Sequence, residues 1–135
     1  MIYIYNKIVK FLEQNYRLCI FPVENTEFIL YTLGDKKDRN YVIFKNGLTT
    51  SSDLSKVCYF IDRVANTGIK SASYLFIAFT EDDWDKDSYT AFNGSAFLHV
   101  LTYNLKSNTF LWDKKFYYWG SKKIKQVFKK IIELT

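Results

Sequence analysis

Residues 74–79 (Tyr-Leu-Phe-Ile-Ala-Phe) are apolar at every position. A strand sends successive side chains to opposite faces, so a run with no polar position needs cover on both. It therefore reads as a central strand with a layer packed on each side. Composition agrees: 19% of the 135 residues are aromatic, and such side chains suit strands half-buried in a sheet. The length fits a single domain over residues 1–135, and an apolar share of 48% argues for a packed core over a disordered chain.

Periodicity places the other elements. Over residues 2–14, Tyr5, Ile8, Val9 and Leu12 fall at i, i+3, i+4 and i+7, which predicts a helix stopping near Asn15. Residues 16–21 read as a short strand ended by Pro22, and residues 23–26 as a turn. Residues 27–33 and 41–45 flank a polar stretch and predict a hairpin with a long tip. Ser51 and Ser52 supply the start of a second helix, with Asp53 near its positive end. Leu54, Val57, Cys58, Ile61 and Val64 make its buried stripe, and Asn66-Thr67-Gly68 ends it. Residues 96–103 and 109–112 read as a second hairpin around residues 104–108. A last helix opens at Gly120-Ser121 and turns Ile124, Val127, Phe128, Ile131 and Ile132 inward. The expected fold class is α+β, a mixed or antiparallel sheet with flanking helices in the order α-β-β-β-α-β-β-β-α. Leu54, Ile61, Phe76, Ile77, Phe79, Val127, Phe128 and Ile131 are expected to share one core.

Charge is distributed unevenly. Residues 114–135 hold seven lysines against Glu133, an excess of +6, whereas the other 12 basic and 13 acidic residues net −1. Residues 81–87 hold five acids and one lysine. Lys122, Lys123, Lys125, Lys129 and Lys130 surround the apolar stripe of the last helix. Lys114 and Lys115 lie upstream, beside Phe116, Tyr117, Tyr118 and Trp119. These seven lysines are the candidate binding residues. Lysines interleaved with aromatics can grip a phosphate backbone and stack on bases. The same charge suits an anionic membrane surface or an acidic protein. The plain structural alternative is a solvated lysine face on a core-packing helix.

Catalytic signals are sparse. Cys19 and Cys58 sit 39 residues apart inside apolar runs and read as buried thiols in a reducing compartment. No apolar run approaches the roughly 18 to 20 residues a membrane span needs, so a soluble cytoplasmic protein is expected, peripheral to a membrane if the basic helix meets one. Asp83, Asp85 and Asp87 have the spacing of a calcium loop, but the sixth and twelfth positions hold Ser88 and Gly94, so the segment reads as a solvated acidic loop. His99, the single histidine, shares a strand face with Phe97 and Leu101 and reads as a partly buried, satisfied side chain. The five glycines stand too far apart for a phosphate loop, and Asn93-Gly94-Ser95 reads as turn chemistry. No catalytic residue, metal ligand or cofactor is assigned.

The order α-β-β-β-α-β of the first six elements resembles the core of restriction-endonuclease-like domains. Active members carry an acid near the second strand and Glu-x-Lys or Gln-x-Lys on the third. Here Lys45 matches the lysine of Ile43-Phe44-Lys45, while Ile43 stands where the acid or amide belongs. Residues 5–16 and 75–84, the latter ending Thr80-Glu81-Asp82-Asp83-Trp84, are also similar to the cytosolic N-terminal domain of some Gram-positive rhomboid-type membrane proteases. The resemblance spans about residues 3–85 and implies a catalytically empty accessory module with its basic end near a membrane. The leading expectation is a non-enzymatic interaction domain. Its alternatives are a metal-dependent nuclease using Lys45 with Glu27 or Asp38, and a small mobile-element protein that masks another protein.

Overall fold

The computed structural model describes residues 2–18, 28–33, 40–65, 73–84, 90–93, 96–112 and 122–135. The elements are α1 (Ile2–Asn15), β1 (Arg17–Leu18), β2 (Phe28–Thr32), β3 (Asn40–Lys45), α2 (Ser51–Ala65), β4 (Ser73–Thr80), β5 (Thr90–Asn93), β6 (Ala96–Asn104), β7 (Thr109–Trp112) and α3 (Lys122–Glu133). The expected α+β class and element order hold, with β5 added ahead of β6. The expected strand over residues 16–21, the turn at 23–26, the hairpin tip and the helix stop at 66–68 lie largely or wholly outside the described residues.

The strands form one mixed sheet in the order β1-β2-β3-β4-β6-β5, with β7 also paired to β6. β1 and β2, and β2 and β3, are antiparallel pairs, and the Leu33 N–H to Asn40 carbonyl bond (2.8 Å) closes the loop end of the β2–β3 hairpin. β3, β4 and β6 are mutually parallel. β5 and β7 share the outer edge of β6, which they meet antiparallel over Ala96–His99 and Leu101–Asn104 respectively. The β6–β7 turn is tied by Asn104, whose Oδ1 accepts the N–H of Lys106 (2.9 Å) and Ser107 (3.1 Å). Asn108 there takes a left-handed φ of 55°, a conformation asparagine tolerates better than most residues.

Alternation along β4 splits the interior in two. Leu75, Ile77 and Phe79 pack with Ile4, Ile8 and Leu12 of α1 and with Ile124, Val127, Phe128 and Ile131 of α3. Tyr74, Phe76 and Ala78 face the other way, onto Val57 and Ile61 of α2, with Leu54 half-buried beside them. The single core expected from the sequence is therefore two clusters on opposite sides of the sheet. The reason is the strand's period of two: neighbouring side chains such as Phe76 and Ile77 cannot enter the same layer.

Independent layers make a thermodynamic prediction. Ile61→Val and Ile131→Val remove one methylene from each cluster and should each cost about 0.5 to 1.5 kcal/mol. In urea unfolding the double variant should match the sum within about 0.5 kcal/mol, as distant sites do. Coupling above 1 kcal/mol would join the two layers.

Candidate functional site

The inner face of α3 fixes its outer one. Ile124, Val127, Phe128 and Ile131 are buried at i, i+3, i+4 and i+7, and Trp112 meets Phe128 edge-on at 5.1 Å. The same helical period leaves Lys122, Lys123, Lys129 and Lys130 exposed, with Gln126 on the same side and Lys125 half-buried at the margin. The helix's one acid, Glu133, lies 3.9 Å from Lys130, an exposed pair of small energetic weight. Five of the seven lysines picked out by sequence thus share one helix. Lys114 and Lys115 lie outside the described residues.

α1 extends this surface, a feature the sequence reading missed. Lys7 donates from Nζ to the Leu134 carbonyl at 3.0 Å and stands 4.4 Å from the Tyr3 ring centre. It satisfies a carbonyl just beyond the end of α3 and sets a positive charge at the negative end of that helix dipole. Together α1 and α3 carry seven lysines and two glutamates, whereas α2, on the other face, carries two of each sign. A signal was available: Lys7 and Lys10 are three residues apart on a helix whose stripe was already visible.

Lys45 has a different role from the lysines of α3. It ends β3, and its Nζ meets Asp53 Oδ2 at 2.9 Å. Gly47, at a φ of +130° that only glycine adopts easily, kinks the chain before it resumes parallel pairing with β4 at Leu48–Phe79, where the Thr49 N–H reaches the Phe79 carbonyl at 2.8 Å. Thr50 then caps α2. Its N–H donates to Asp53 Oδ2 (2.9 Å), and its Oγ1 accepts the Asp53 N–H (3.3 Å). This reciprocal pair is a capping box, so the cap is Thr50 in place of the expected Ser51 or Ser52. The Thr-x-x-Asp spacing was its sequence signal. Burial raises the Asp53 carboxyl, but the Thr50 N–H and the Lys45 ammonium outweigh it and hold the group below its ordinary value.

The nuclease alternative finds Ile43 fully buried toward α2 and Lys45 committed to Asp53. Glu27 and Asp38 lie outside the described residues, as do Cys19, Asp85 and Asp87. Asp83 accepts a hydrogen bond from Asn104 Nδ2 at 3.1 Å. Among the described residues no cluster of three or more His, Cys, Asp or Glu side chains could hold a metal, and no helix is long and apolar enough to cross a membrane. Burial pushes the half-buried Cys58 thiol up.

His99 is buried on β6, where burial and then the Lys125 charge lower its pKa to about 4. No protein-family model and no curated protein matches the chain.

Two predictions follow from these groups. Asp53→Ala should cost about 2 to 4 kcal/mol in urea unfolding, because it removes half of the cap and strips Lys45 of its partner. Lys45→Met, which leaves the cap intact, should cost less than half as much. For His99, the unfolded chain takes up a proton below its ordinary pKa of 6.5 while the folded protein stays neutral down to about 4. Stability is therefore full above the unfolded value and should fall by about 2 kcal/mol between pH 6.5 and 5. Asp53 contributes its own loss only below its ordinary 3.8. His99→Gln should flatten the pH 5 to 6.5 window, and an unchanged slope would assign it to other groups.

Proposed function

We propose that this protein is a non-catalytic binding module whose α3 lysines meet an anionic partner. The observation that carries the reading is the division of α3 into a buried apolar stripe and an outer side bearing exposed Lys122, Lys123, Lys129 and Lys130. Because the stripe lies in the core, α3 has no apolar face left to lay into a bilayer, as an interfacial helix must. A membrane surface would be met through headgroup charge alone. A phosphate backbone or an acidic protein asks only for the lysines. The likeness to restriction-endonuclease-like domains is, on this reading, that of a catalytically empty accessory module. Buried Ile43 and the Lys45–Asp53 pair support it.

Charge screening acts beyond about 8 Å at physiological salt, so binding should be weak and salt-sensitive. Changing Lys122, Lys123, Lys129 and Lys130 together to Gln should leave folding nearly intact, since exposed substitutions cost under about 0.5 kcal/mol each. The variant should leave immobilised heparin at clearly lower salt than the parent. Identical elution would reduce the lysine face to a solvated surface. With magnesium or manganese, plasmid and single-stranded DNA should stay whole. Cleavage abolished by Lys45→Ala would replace this reading with the nuclease.

A further inference from the structure

We infer that the binding surface spans α1 as well as α3, and that its partner is single-stranded nucleic acid with Tyr3 as a stacking platform. The inference rests on the lysine-face reading and goes beyond it in naming a residue and a partner class. Tyr3 is 72% exposed, the most exposed large hydrophobic side chain among the described residues. One ammonium fixes its place: Lys7 lies over its ring and bonds the Leu134 carbonyl, so the ring stands beside the end of α3.

An exposed aromatic ring on a pair of helices that carry seven lysines between them has two complementary uses for a single strand. Phosphates meet the lysines, and an unpaired base stacks on the ring. Lys122 and Lys129, like Lys123 and Lys130, are seven residues apart, about 10.5 Å of helical rise. They give two rows of cations that a flexible backbone can follow. A duplex keeps its base faces stacked inside and can use only the lysines. An anionic bilayer would need more than one aromatic side chain for insertion, because the α3 stripe is in the core. Lysines carry no bidentate base-reading geometry, so binding should tolerate sequence.

The test uses the full chain and a fluorescein-labelled oligothymidine of about 12 nucleotides, within the site size of single-strand binders. Anisotropy should show Tyr3→Leu weakening binding about 5- to 150-fold, the worth of one stacked base, while Tyr3→Trp keeps it. Lys10→Gln should lower the slope of log affinity against log salt by about 0.7. A duplex of equal length should bind Tyr3→Leu and the parent alike, and thermal melting should match for all variants. Oligothymidine binding unchanged in Tyr3→Leu, or tighter binding to phosphatidylserine vesicles than to the oligonucleotide, would overturn the inference. If heparin retention still depends on the α3 lysines, the proposed function survives that failure. If it does not, both fall.

Discussion

β4 is paired along both edges by parallel strands and covered on both faces, so no side of it meets water. Its backbone groups must be satisfied inside the sheet, and each of its large side chains must find a layer to pack in. Two parallel neighbours also need connections that leave the sheet and return. The β3-to-β4 connection contains α2, which takes one face, and α1 and α3 are left to close the other. Tyr5 of α1 meets both Phe44 and Phe79 edge-on, at 5.6 and 6.1 Å, so that cover is made by side chains on three elements at once.

The same constraint arranges the charge. Once Ile124, Val127, Phe128 and Ile131 are drawn inward, helical geometry leaves the α3 lysines nowhere but the solvent side. The basic character of one layer is thus a by-product of core packing as much as a separate design. Lys45 illustrates the opposite case. Held against Asp53 and 5.5 Å from the Phe28 ring, it serves the junction between β3 and α2. Two lysine populations result, one outward-facing and one structural, and only the first is available to a partner.

Much of this was written in local patterns. The α3 stripe, the β2–β3 pairing and the β6–β7 turn all follow from spacing and turn chemistry within a few residues. β5 escaped because its four residues hold one large apolar side chain and no alternation, so the strand depends on pairing with β6. Asn93-Gly94 read as turn chemistry but gave no reason to extend a strand back from it. The two-layer interior was implicit in the parity of residues 74–79, yet which helix covers which parity is a tertiary matter. Asp53 was visible as a helix-start acid, but its partnership with Lys45 depends on the path the chain takes through the positive-φ Gly47. Tyr3 and Lys7 gained meaning only when the far end of the chain came beside them.

That last contact joins residues 127 positions apart. While the chain is being made, α1 emerges before α3, with Ile4, Ile8 and Leu12 facing a layer whose other helix has yet to be synthesised. Secondary structure and the β1–β3 meander can form at that stage, but one face of the growing sheet has α1 alone to cover it until α3 arrives. Between the synthesis of α1 and that of α3 the nascent chain therefore carries a part-covered apolar surface, and the described helix richest in lysine is the one that closes it.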